Sequence, residues 1–127
     1  MNICVDFDDT LNFESFDYTK DYMPNHVVLN FLKDKDFYIV TARTDNKPNR
    51  SYVDGFCDKF DLNPIDVYYT NGRLKGDLLV DLECDFFIDD NLRQLNSAKA
   101  NDISAVHPDD LLTVKVAKKM WSWLGNN

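Results

Sequence analysis

Short apolar runs alternate with amphipathic stretches along the chain. Residues 2–7, 36–41, 65–69 and 84–88 are rich in β-branched and aromatic side chains, and 103–106 is a weaker fifth run. Runs this short and this apolar suit the buried strands of a parallel sheet, which is covered on both faces. Between them the apolar positions fall at helical spacing. Val27, Val28, Phe31 and Leu32 mark a helix over 24–35, and Tyr52, Val53, Phe56 and Phe60 share one face of a helix that begins at Pro48. Residues 75–82 and 91–100 are shorter candidates. The longest is 108–124, with Pro108 at an N1-like position and Gly125 near its end. Alternation of this kind predicts an open α/β sheet with helices on both faces.

Residues 11–23 break the pattern, showing neither period. They follow the first strand directly, at the carboxyl edge of the sheet, where open α/β folds bind their ligands. A flap over a site is the expectation, with Tyr18 and Tyr22 available to stack on a base. Tyr68 and Tyr69 belong to strand packing, and Trp121 and Trp123 to packing of the last helix.

With 127 residues and no repeat, low-complexity tract or linker, the chain reads as one domain over 1–127. Its hydrophobic fraction of 44% supports a core without disulfide staples. Cys4, Cys57 and Cys84 lack paired CxxC spacing, and His26 and His107 do not complete a zinc set, so free core thiols are expected. The formal net charge of −8 works against general nucleic-acid and membrane binding. No basic-then-apolar leader opens the chain and no stretch reaches membrane-spanning length, so a cytoplasmic location is expected.

The acidic residues matter most where they cluster. Asp6-Phe7-Asp8-Asp9-Thr10 ends the first strand, Val40-Thr41-Ala42-Arg43 the second, and Ile88-Asp89-Asp90 the fourth. In a parallel sheet these ends converge on one edge. Asp6, Asp8, Asp9, Asp89 and Asp90 would repel one another there unless a cation stood among them, and carboxylate oxygens are the ligands a hard ion such as Mg2+ prefers. Alternation puts Asp6 and Asp8 on one side, which suits a device in which one attacks phosphorus and the other handles the leaving-group proton. Lys75 opens the helix after the third strand and can reach the same edge to neutralise a phosphate, with Arg73 close enough to share the role. Arg43, Lys47 and Arg50 form the most basic stretch of the chain and are candidates for a second anionic group, as in a nucleotide or a nucleic-acid terminus.

The ordered set Asp6-Phe7-Asp8-Asp9-Thr10, Thr41, Lys75 and Asp89-Asp90 resembles the four motifs of the haloacid dehalogenase-like (HAD) phosphohydrolases. The resemblance covers nearly the whole chain. It implies a three-layer, Rossmann-like parallel sheet of about five strands in the order 3-2-1-4-5, and a magnesium-dependent phosphatase acting through an aspartyl-phosphate. Asp6 would be the nucleophile and Asp8 the general acid/base. Thr10 would brace the loop, Thr41 would hydrogen-bond the phosphoryl oxygens, and Lys75 would hold nucleophile and phosphate together. Asp6, the backbone carbonyl of Asp8, and Asp89 would ligate Mg2+, with Asp90 an additional ligand. The intervals between motifs leave no room for a cap domain, so the core is expected to be capless. Two other readings share the fold: a phosphoacceptor receiver-like signalling domain, whose phosphorylated Asp ends a middle strand, and a catalytically silent binding protein. The third strand here ends in Tyr69-Thr70-Asn71, without such an Asp.

Overall fold

The computed structural model describes residues 1–13 and 21–111. Its five strands run parallel in one sheet. β1 (Ile3–Val5) lies at the centre between β2 (Phe37–Thr41) and β4 (Phe86–Ile88), while β3 (Val67–Tyr69) and β5 (Ser104–Val106) form the edges. The order is β3-β2-β1-β4-β5, as expected. Val5 is in register with both Ile39 and Ile88. The chain therefore leaves β1 at Asp6 and β4 at Asp89 side by side.

Strand alternation sorts the apolar side chains into two cores. Ile3, Val5, Phe37, Ile39, Phe86 and Ile88 pack with α1 (His26–Leu32) and α2 (Lys47–Lys59). Cys4, Val40, Phe87 and Ala105 face the opposite way, against α3 (Gly76–Asp81) and α4 (Leu92–Ala100). This is the three-layer α/β arrangement expected. Each fully buried Phe, Ile or Val contributes about 1.5–3 kcal/mol relative to exposure, so burial on both faces stabilises the central sheet. Cys4, Cys57 and Cys84 are buried free thiols.

Asparagines start three of the helices. Asn25 accepts from Val27 N at 3.2 Å, Asn46 from Asn49 N at 2.9 Å, and Asn91 from Gln94 N at 3.2 Å. Such caps satisfy otherwise orphaned N–H groups and contribute about 1 kcal/mol each. They also explain why α1 starts later than Pro24 and α4 one residue after Asn91. β1 stops at Val5, short of the expected Phe7, because the chain turns sharply there. The Phe7 carbonyl accepts from Leu11 N and Asn12 N at 2.9 and 3.1 Å, and Asp9 adopts a left-handed φ of 59°. β3 differs from expectation in another way: as an edge strand it is only half-buried.

Residues 11–13 and 21–23, the described ends of the segment expected as a flap, bond to each other. Phe13 N donates to Met23 O at 2.8 Å, and Asn12 Oδ1 accepts from Met23 N at 2.7 Å. Tyr22 is not a free stacking platform. Its ring packs 4.9 Å from Tyr52 and 5.3 Å from Phe56, and its hydroxyl donates to Tyr52 O at 2.9 Å. Tyr18 lies outside the described residues, as do Trp121, Trp123 and most of the helix expected over 108–124. Of its described part, Pro108–Asp110 is a 3-10 turn and Leu111 has helical backbone angles. Among the described residues no helix is long and apolar enough to cross a membrane.

Candidate active site

Four elements deliver the site. Asp6 continues β1, and its main-chain N–H donates to Ile88 O at 2.9 Å, so it stays tied to β4 just past the strand end. Asp89 and Asp90 continue β4 beside it. Lys75 arrives from the third element, at the N-cap position of α3. Its backbone N–H donates to Gln94 Oε1 at 2.9 Å, and Gln94 Nε2 donates to Arg73 O at 3.3 Å. Gly76 lets α3 approach α4 closely, since a Cβ there would collide with Ser97 Oγ and stand 2.7 Å from Asn101 Nδ2. Glycine and glutamine together therefore set where Lys75 begins its reach. The neighbouring Arg73 is exposed and bonds through its main chain.

The Lys75 ammonium, 1% exposed, donates to Asp6 Oδ1 and to Asp89 Oδ2, each at 2.7 Å. Asp89 Oδ1 accepts from Asn91 N at 2.9 Å. Thr10, the fourth residue along from Asp6 and wholly buried, donates to Asp6 Oδ2 at 3.1 Å and lies 3.4 Å from Asp90 Oδ1. One oxygen from each of Asp6, Asp89 and Asp90 falls within 4.8 Å of the others.

Burial pushes the Asp6 carboxyl well above its ordinary range. Lys75 pulls it back and Asp89 adds to the rise. Asp90 is also raised, by burial first and by Asp89. At Lys75 burial opposes the charge, yet Asp6 and Asp89 outweigh it and hold its pKa above the usual value. Three ionised carboxylates against one ammonium leave two negative charges, which one divalent cation would cancel. The all-oxygen donor set fits a hard cation. Asp6, Asp89 and Asp90 are the residues that would hold it.

Asp8 stands differently. It lines the same cleft, but both its carboxylate oxygens are taken by Arg43, Nε to Oδ2 and Nη2 to Oδ1, each at 2.8 Å. Its carboxylate is therefore not one of the clustered trio. Arg43 was expected to meet a second anionic group and instead has this internal partner. Arg50 likewise bonds Asp45, with Nη2 to Oδ2 at 2.8 Å. Thr41 is wholly buried at the end of β2, where its Oγ1 accepts from Arg43 N at 3.2 Å. Ala42 rather than Thr41 forms the cleft wall.

The cleft holds about 190 Å³ and opens at the carboxyl edge of the sheet. A larger hollow of about 690 Å³ lies beside the amino end of β2, lined by Leu32, Phe37 and Leu62, and contains none of these groups. Sequence reasoning missed Gln94, Asn12 and Asn49. A readable signal existed for Gln94, a polar residue at a core-facing position beside Leu95 and Ala98.

No family model matches the chain, and no curated protein matches it either.

Proposed function

We propose that this protein is a divalent-cation-dependent phosphatase of HAD type, with Mg2+ as the cation, hydrolysing phosphate monoesters through Asp6. The observation that carries the reading is the buried Lys75 ammonium at 2.7 Å from both Asp6 and Asp89, with Asp90 in the same cluster. A structural ion pair needs one carboxylate. Three converging carboxylates around one lysine, at the sheet edge where ligands bind, fit a site built for a cation and a transferable anion.

Asp6 attacks phosphorus, forming a new P–O bond as the ester oxygen departs with a proton from Asp8. Water then attacks the phosphorus of the aspartyl-phosphate and gives its proton to Asp8, releasing phosphate and restoring Asp6. Lys75 and the Thr10 hydroxyl hold Asp6 in place, and Lys75 offsets charge on the transferred group. A bound Mg2+ supplies further charge neutralisation at the phosphoryl oxygens. The open cleft suits a phosphate projecting from a larger molecule, and nucleotides and nucleic-acid ends are the first substrates to try.

The test is phosphate release from a panel of nucleotides, 3′- and 5′-phosphorylated oligonucleotides, phosphosugars and phosphopeptides. Turnover that needs Mg2+ and disappears in Asp6→Asn supports the reading. Stable phosphorylation without release would favour the receiver-like alternative.

A further inference from the structure

Asp8 must present its carboxyl to a leaving oxygen, and among the described residues its side-chain hydrogen bonds both come from Arg43. The structure assigns that task to Arg43: we propose that Arg43 is the positioning residue of Asp8 and acts through it on the leaving group. The inference rests on the reading of Asp8 given above. It differs from a substrate-binding role because the guanidinium is already committed. Its Nε and Nη2 grip both oxygens of Asp8 at 2.8 Å, and Nη1 donates to Asn49 Oδ1 at 2.9 Å.

The holder is itself held. Asn49 Nδ2 donates to Thr44 O at 2.8 Å, and Asn49 N bonds to the Asn46 cap at 2.9 Å, so the third contact is anchored in the first turn of α2. The guanidinium carbon stands 4.7 Å from the Tyr52 ring centre and 5.5 Å from that of Phe7. Tyr52 accepts in turn at its hydroxyl from Asn12 Nδ2, at 3.2 Å. A planar fork fixed by a hydrogen bond and two ring faces can hold a carboxylate in one orientation, which a lysine ammonium cannot do. Asp8 itself passes the proton to the leaving oxygen, and Arg43 directs the carboxyl without taking part in the transfer.

A general acid matters most when the leaving group is poor. The experiment therefore compares phenyl phosphate with 2,4-dinitrophenyl phosphate, whose leaving group departs without a proton. The proteins are wild type and the Asp8→Asn, Arg43→Met, Arg43→Lys and Asn49→Ala variants. Because the later water attack also uses Asp8, the readout is leaving-group release in the first turnover. Asp8→Asn should slow release of phenol by about 100-fold or more while changing release of dinitrophenolate by about 3-fold at most. Arg43→Met and Arg43→Lys should show the same pattern at about 10- to 100-fold, and Asn49→Ala a weaker form of it, with KM on both esters nearly unchanged. Retained first-turnover release of dinitrophenolate shows that each variant has kept its folded site. Equal first-turnover losses on both esters, or a raised KM with the first-turnover rate intact, would overturn the assignment alone. A wild-type protein that turns over neither ester would overturn the reading of Asp8 together with it.

Discussion

Lys75 Nζ and Asp6 Oδ1 meet at 2.7 Å, although 69 residues separate them in the chain, and both side chains are almost wholly buried. Removing one member of such a pair leaves charge in a place water cannot reach. Lys75→Met should therefore destabilise the cation-free protein by about 3–5 kcal/mol, read from urea unfolding. Added Mg2+ should restore part of the loss by supplying positive charge to the same carboxylates. A change below about 1 kcal/mol would mean that the site relaxes to admit water.

The raised carboxyls make the cation-free fold sensitive to pH in a defined direction. Asp6 and Asp90 both start from an ordinary value of 3.8 and lie higher in the folded state. Between the unfolded and folded values the native state binds more protons, so unfolding free energy falls as pH rises through that window. In chelator, the melting temperature should drop from about pH 4 upward until both groups are ionised. Saturating Mg2+ should flatten or reverse the slope, because it binds the ionised form. A melting temperature in chelator that climbs over the same range would contradict the assignment of burial as the main cause.

Gly76 makes a packing prediction. Its Cβ position is taken by Ser97 Oγ, with Ser97 O at 3.1 Å and Asn101 Nδ2 at 2.7 Å. Gly76→Ala should cost about 1–3 kcal/mol through overpacking between α3 and α4. It should also lower turnover more than stability alone explains, because Lys75 is the adjacent residue. Pairing it with Ser97→Gly should recover part of the stability, and failure to recover would place the strain at Asn101 Nδ2 or the Ser97 backbone oxygen.

Gln94 is expected to act through the same lysine. Replacing it by Ala leaves the Lys75 N–H and the Arg73 carbonyl without their partner, a cost of about 1–3 kcal/mol where the group is buried. Mg2+ affinity, measured by calorimetry, should change little, since Gln94 touches no member of the carboxylate trio in the described residues.

Much of this arrangement can be read from the chain because it follows from periodicity. Val5, Ile39 and Ile88 lie in runs whose length and β-branching admit few alternatives, and the strand ends then bring Asp6 and Asp89 together. Where the readings diverge, tertiary context decides. Tyr22 looks available in sequence, but its ring is drawn into the Tyr52–Phe56 cluster. Arg43 looks like a surface cation, and only the turn at Asp9 and the start of α2 reveal that Asp8 and Asn49 are waiting for it. Gln94 is hidden for the same reason, since its partners belong to a loop 19 and 21 positions away.

Everything in the proposed chemistry passes through a covalent bond at one carboxylate. The most direct measurement is to mix the protein with Mg2+ and a turned-over phosphate ester, quench with borohydride, and locate the reduced residue by mass spectrometry. Homoserine at position 6, absent in Asp6→Asn and absent without the cation, is the result this account predicts. Phosphate release with no modification at Asp6, or modification at Asp89 or Asp90 instead, would contradict it.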